Sequence, residues 1–401
     1  MKLLVINCGS SSIKYQLLTM PSSRVLSKGM VARIGEDRAT LVYEANGQKH
    51  QQEAPISDHL AGMQHILSTL TQGETQVVGN LAEIGAVGHR VVHGGEEFSG
   101  SVLITATVRE AIERFADLAP LHNPPNLIGI DAARSALPDI PHVACFDTAF
   151  HATLPPVAST YALPQEMYEK YGIRRYGFHG TSHRFVARRA AAMLGLDKYA
   201  INCITCHLGN GCSMAAVRAG RSVDTSMGMT PLPGLVMGTR TGDFDPAILF
   251  YLAEKGYELD DLNAICNKQS GLLGISGVSN DMRTLAEAAA EGNQRAKLAI
   301  DIFTYRVKQY IGSYAAVLGR LDAVVFTGGI GENSTAVREA CCDELDLLGL
   351  RIDPQRNRSA VGCEAEIQTT DSTVKVLVIA TNEELAIAGD THKIASEVTS
   401  S

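Results

Sequence analysis

Apolar positions along the chain fall into short blocks, each closed by small or turn-forming residues. Leu3–Ile6 is the first, followed by Asn7-Cys-Gly-Ser-Ser-Ser12 and a second apolar segment from Ile13 to Leu18. So short a run, bounded by Asn, Gly and Ser, predicts a buried strand, a turn and a returning strand. Residues 201–217 follow the same plan, with His207-Leu-Gly-Asn-Gly211 as the turn and Ser213-Met-Ala-Ala-Val217 as the return. A third run, Ala323–Thr327, leads into the glycine-rich turn Gly328-Gly-Ile-Gly-Glu-Asn333, and Ala336–Leu345 then reads as a helix.

Other segments carry helical spacing. Phe303, Val307, Tyr310, Tyr314 and Val317 recur every three or four residues, as do Leu60, Met63, Ile66, Leu67 and Leu70. Each set predicts a helix with one core-facing stripe. Short buried strands mixed with such helices place the chain in the α/β class. The strand-turn-strand plan occurs twice, which suggests two similar halves, weakly repeated at the residue level. The boundary is placed just after Asp147.

Composition narrows the picture. At 401 residues the chain is long for one core and comfortable for two. Hydrophobic residues at 45% and charged residues at 19% exclude disorder. A net charge of -8 excludes nucleic-acid binding through a general basic surface, although a local Arg and Lys cluster can still serve small anions. Asn7 interrupts the first apolar run too early for a signal peptide, and the longest uncharged stretch, Tyr199–Val217, is too polar to span a membrane. A cytoplasmic protein with no membrane partner is expected. Nine cysteines in no scaffold-like spacing predict free thiols in a reducing compartment. Cys203 and Cys206 have metal-like spacing, but an offset of three on a strand sends their side chains to opposite faces.

The candidate chemistry lies in the turns. The loop at 7–14 offers backbone N–H groups, hydroxyls and the Lys14 ammonium to an anion, although it reads equally as an ordinary serine-rich hairpin and is no P-loop. His207–Gly211 has two glycines that permit close backbone approach. Gly328–Asn333 follows a strand and precedes a helix, a setting suited to a nucleotide. Polar residues in awkward contexts join them: Arg90 in Gly88-His-Arg-Val-Val-His-Gly-Gly95, Asp147 after Val143–Phe146, His179 in Tyr176-Gly-Phe-His-Gly, and Arg240 in Met237-Gly-Thr-Arg-Thr-Gly242. Leu121-His-Asn-Pro-Pro125 reads as a rigid turn. Singly these read as a solvated arginine, a core imidazole or a helix cap. Two arginines, a histidine and a carboxylate together suit transfer of an anionic group.

These motifs carry a resemblance. Asn7–Lys14, Gly88–Gly95, Phe146-Asp-Thr-Ala-Phe-His151, His207–Gly211 and Thr381-Asn-Glu-Glu384 look like those of the acetate kinase (acetokinase) family, in order along almost the whole chain. The resemblance implies a fold of two duplicated actin-like (ribonuclease H-like) α/β domains flanking a cleft, as in sugar kinases and heat-shock ATPases, with hinge motion on substrate binding. It implies an N-terminal domain of 1–148 plus 383–401, a nucleotide-binding domain of 149–382, and a homodimer.

The implied activity is reversible transfer of the ATP γ-phosphoryl group to acetate, in line and without a covalent intermediate, with Mg²⁺ or Mn²⁺. Asn7 and Glu383 would help bind the metal. Lys14 and the run His207, Leu208, Gly209, Asn210 and Gly211 would face the ATP phosphates. Asp281, Met282 and Arg283, with Gly329, Ile330, Gly331, Glu332 and Asn333, would hold its adenosine. Arg90 would bind the acetate carboxylate, while Val92, Leu121, Phe178 and Pro231 would shape the methyl pocket. His179 and Arg240 would stabilise the transition state, and Asp147 would order the metal or the acceptor. Cys212 departs from the small residue expected after the phosphate loop, and a packed thiol is the simplest reading there. The alternatives are a propionate or other short-chain acid kinase, and a non-enzymatic nucleotide-binding relative.

Overall fold

The computed structural model describes residues 1–399, which form two compact units. One comprises Met1–Ala149 with the chain from Asn382 onward, and the other Phe150–Thr381. In the first, eight strands form one sheet in the order Gln48–Ala54, Ala39–Ala45, Arg24–Ala32, Ser12–Thr19, Lys2–Gly9, Ile84–Val91, His142–Phe146 and Val102–Leu103. In the second, six strands run Arg221–Thr225, Cys212–Arg218, Cys203–Leu208, Ala323–Thr327, Lys375–Val378 and Ala365–Glu366.

The two sheets share a five-strand core. Each begins with three antiparallel strands; the first of them then pairs in parallel with a later strand, which pairs in parallel with a still later one. Parallel strands carry helices on both faces, so their side chains are buried throughout. That is why Leu3–Ile6, Val143–Phe146 and Ala323–Phe326 read as unbroken apolar blocks, all buried. In the first unit, Met63, Ile66 and Leu70 of helix His59–Thr71 cover one face with Ala132 and Ala133. Ile387, Ala388 and Ala395 of the C-terminal helix Glu383–Thr399 pack with Leu3 and Val5 in a separate core.

Three local expectations change. The Gly328–Asn333 turn is itself a short helix, and the following helix, Thr335–Cys342, ends before Leu345. Leu60 is 40% exposed, outside the stripe of its helix. In helix Gln294–Leu318, Phe303, Val307 and Tyr314 are buried as expected, but Ile311 and Leu318 complete the stripe, and Val317 is 39% exposed. Over 25 residues, 3.6 per turn drifts against a pattern written in threes and fours, so the stripe rotates. Among the described residues, no helix is long and apolar enough to cross a membrane.

Candidate active site

In the first unit, strands Lys2–Gly9, Ile84–Val91 and His142–Phe146 are parallel neighbours, so their C-terminal ends share one sheet edge. Asn7, Arg90 and Asp147 stand there. The hairpin is tighter than the sequence suggests, because strands continue to Gly9 and from Ser12, which sets Asn7 opposite Lys14. Arg90 Nε donates to Asp147 Oδ1 and Oδ2 at 3.2 and 3.0 Å, and Nη2 donates to Oδ2 at 2.5 Å. Its Nη1 reaches Asn7 Oδ1 at 3.4 Å. Asp147 is 1% exposed and Arg90 24%, so this is a largely desolvated pair. Burial disfavours the Arg90 charge, but Asp147 and Glu383 outweigh it and hold the guanidinium firmly protonated.

Glu383 lies 4.0 Å from Arg90 Nε. Burial raises its carboxyl to about 7; Arg90 opposes the rise, while Asp147 and Glu384 add to it. A cavity of about 20 Å³, room for one water-sized occupant, is lined by Asn7, Lys14, Arg90, Glu383 and Glu384. Asn7, Glu383 and Glu384 offer hard oxygen donors that fit Mg²⁺, while Arg90 and Lys14 in the same lining already supply part of the positive charge the acids need. No cluster of three or more His, Cys, Asp or Glu side chains is placed to hold a metal among the described residues. One or two carboxylates with water is the usual share a protein gives that ion.

Asn126 and Asn123 were missed in the sequence. Asn126 accepts from Val92 N at 3.0 Å and donates to Cys8 O at 2.8 Å, tying two strand ends together. Asn123 bonds both His93 N and His93 O. The available signal was buried asparagine beside the Pro-Pro that opens helix Asn123–Ala136. Val92 is buried, whereas Leu121 is 75% exposed.

In the second unit, Thr327 pairs with His207, so the His207–Gly211 turn and the Gly328–Asn333 helix emerge at neighbouring strand ends. Gly328 has φ +76°, and a Cβ there would meet Leu208 O at 2.7 Å, so only glycine fits. His179, itself in the left-handed region at φ 55°, hydrogen-bonds Ser213 Oγ at 2.8 Å and lies 4.3 Å from the His207 ring. A Cβ added at Gly211 would sit 3.6 Å from both Arg240 Nη1 and His179 Cε1. That loop is therefore where the arginine and histidine converge. Among the described residues the Arg240 side chain meets only Pro231 O at 3.3 Å and the Met237 sulfur at 3.7 Å, with no ion pair. Burial lowers its pKa, and the nearby Cys212 works the other way.

Several residues predicted to contact ligands also have structural contacts. Glu332 accepts from Gly328 N and Thr381 N, holding its own turn together. Leu208 and Met282 are buried, and Phe178 likewise. Asp281 caps helix Met282–Ala290, leaving Arg283 90% exposed. Asn333 Nδ2 bonds Gly329 O, and Asn280 Nδ2 bonds Asn210 Oδ1. Cys212 is fully buried, donates to Gly209 O, and its thiol is pushed up to about 12 by burial, as a packed residue should be. Arg338, which the sequence did not flag, is fully buried and donates to Gly331 O, Glu332 O, Asn357 O and Ala360 O. It fixes the C-terminal carbonyls of the Gly328–Asn333 helix.

Fold and site together define the class: a small-molecule kinase of the duplicated α/β architecture. A sequence model of the Acetokinase family matches residues 2–389. The chain belongs to the acetokinase family. It is 53% identical to an acetate kinase of Clostridium novyi (strain NT), over 99% of both chains. The crystal structure of Porphyromonas gingivalis acetate kinase superposes with a TM-score of 0.95 at 47% identity, covering 98% of this chain and 99% of that one. A propionate kinase from Francisella tularensis superposes at 0.92 with 44% identity and the same coverage.

Proposed function

We propose that this protein catalyses reversible, Mg²⁺-dependent transfer of the ATP γ-phosphoryl group to acetate. The observation that carries the reading is Arg240: a half-buried guanidinium without a counter-charge, beside His179 and the glycine turn. Holding a cation there costs free energy, which a transferring phosphoryl group offsets as negative charge spreads over its oxygens.

Acetate is ionised at neutral pH, so no proton has to be removed from it. Arg90 binds that carboxylate, and buried Asp147 orients Arg90 through its contacts to Nε and Nη2. The Gly209–Gly211 turn and Lys14 hold phosphates, and His179 donates to the group in flight. Asp281–Arg283 and Gly329–Asn333 hold the adenosine, the second clamped by Arg338. Asn7 and Glu383 would hold the metal, which when bound neutralises phosphate charge. Val92, Leu121, Phe178 and Pro231 form the methyl pocket. The relatives' names support acetate, and the propionate kinase neighbour supports overlapping use of the next acid, since one methylene is worth about 1–3 kcal/mol. Nine free thiols, eight of them buried, suit a reducing cytoplasm, and the reading includes a homodimer.

The test traps acyl phosphate as hydroxamate with acetate, propionate and butyrate side by side. The expected result is the highest kcat/KM with acetate. Nucleotide binding without any acyl phosphate would overturn the reading.

A further inference from the structure

A second polar cavity, about 320 Å³, lies in the Phe150–Thr381 unit, lined by Arg175, Asp224, Asp243, Arg306, Tyr310 and Tyr314 among others. None of these has a part in the proposed reaction. Three of their buried atoms find no hydrogen-bond partner: Arg175 Nε, Arg306 Nε and Tyr314 Oη. Tyr314 is only 2% exposed, so its hydroxyl is desolvated and still unsatisfied. Such groups are rare in native proteins, because a buried donor left without a partner keeps its full desolvation cost.

The unsatisfied groups share one chemistry. Each carries an N–H or O–H to give, and two belong to cations. Arg175 spends Nη1 on Thr225 O at 2.6 Å and on Ser226 O and Met227 O at 3.3 Å, and makes no ion pair within 4 Å among the described residues. Asp243 cannot balance it, being already engaged by Tyr310 Oη at 2.6 Å and Arg306 Nη1 at 3.6 Å. Asp224 faces the same space, accepts from Thr225 N at 2.7 Å and is drawn electrostatically to Arg175, so it offsets part of that charge and tempers the attraction for an anion. An occupant rich in acceptors and carrying negative charge completes these donors.

Asp243 also has a second duty. Its Oδ1 accepts from Gly234 N at 2.8 Å, and its own N donates to Gly234 O at 2.9 Å, closing the 234–243 loop that carries Arg240. Whatever draws Arg306 or Tyr310 away from Asp243 acts on the closure of that loop. We infer that this cavity is an effector site for a small oxyanion, a carboxylate or a phosphate, coupled through Asp243 to the Arg240 loop.

The experiment titrates the intact protein with succinate and, separately, with inorganic phosphate, by calorimetry up to about 20 mM. Binding at Arg90 and at the Gly209–Gly211 turn is common to wild type and Tyr314→Phe, so the cavity is read as the difference between their titrations. One site per chain, weakened about tenfold by Tyr314→Phe, is expected, because a hydrogen bond to a charged group is lost. Tyr314→Phe should leave basal turnover and thermal stability unchanged, since its hydroxyl bonds nothing in the fold. Whichever anion binds identifies the source, and that anion should lower wild-type turnover without competing with acetate or ATP. Failure of both to bind, or binding indifferent to Tyr314→Phe, would overturn the site. Binding with no change in turnover would overturn the coupling. Either failure leaves the acetate kinase reading intact, as that is tested by acyl phosphate formation.

Discussion

Two arginines, Arg90 at a strand end of the first unit and Arg240 on the 234–243 loop beside the Gly211 turn of the second, are treated in opposite ways. Arg90 is met by a carboxylate that is 1% exposed, through three donor contacts, with Glu383 behind it. Arg240 is given one carbonyl, one sulfur and no carboxylate. A paired guanidinium is rigidly aimed but partly neutralised, which suits holding a stable monoanion. An unpaired one keeps its field for charge that appears only during reaction. The same residue type, on the same duplicated framework, is thus tuned by what is buried next to it.

Removing each arginine should separate these roles. Arg240→Ala is expected to reduce turnover by on the order of 10³-fold or more while nucleotide affinity changes little. Steady-state kinetics with a nucleotide-binding titration checks it, and turnover within tenfold of wild type would end the contrast. Arg90→Ala should do what Arg240→Ala does not, and destabilise the fold. It strands Asp147 as a buried, uncompensated charge, at a cost of about 3 kcal/mol. Urea unfolding at neutral pH should show a lower midpoint for that variant alone.

Acid should weaken both units through their buried histidines: burial also lowers His89 and His142 in the first unit and His183 in the second. Burial pushes His93 and His151 from 6.5 down to about 4. His93 Nδ1 accepts from Gly95 N, which holds the neutral ring, and His151 bonds Ser222 Oγ and Phe178 O. Between those two pH values the unfolded chain binds the proton and the folded chain does not. Stability is therefore full above about 6.5 and falls as pH drops toward 4, by about 3 kcal/mol for each residue. Unfolding midpoints at pH 7, 5.5 and 4.5 test it. A flat series would show that the rings accept protons in place.

The smallest expected effect concerns thiols. Eight cysteines are buried and Cys363 alone is exposed. A native protein treated with iodoacetamide should gain a single adduct, absent in Cys363→Ser, with activity unchanged. Loss of activity tracking a second adduct at Cys212 would reverse the reading of that residue as inert packing.

Much of this was legible in the sequence because the signals are local. A strand buried on both faces must be apolar throughout, so Leu3–Ile6 and Ala323–Thr327 announce themselves. A turn that must approach a ligand or another strand needs glycine, as Gly328 does under Leu208 O. The motifs Asn7–Lys14 and His207–Gly211 therefore carry both the element and its chemistry. Other features depended on residues far apart in sequence. Arg90 and Asp147 are separated by 57 positions and meet because two parallel strands end together. Arg338 looks like any surface arginine until the carbonyls of Gly331, Asn357 and Ala360 surround it. Glu332, read as a ligand, turns inward because Gly328 N and Thr381 N converge on it.

What the chain determined by itself was the set of elements and the chemical inventory: two rounds of strand, turn and strand, three glycine-rich turns, and the arginines, histidine and acids beside them. Period and turn chemistry act over a few residues, so they survive in one dimension. Only the tertiary structure decided which charge is paired and which is left bare, since that depends on sheet register and on desolvation. Register places partners from distant segments within hydrogen-bond reach, and desolvation sets how strongly they matter.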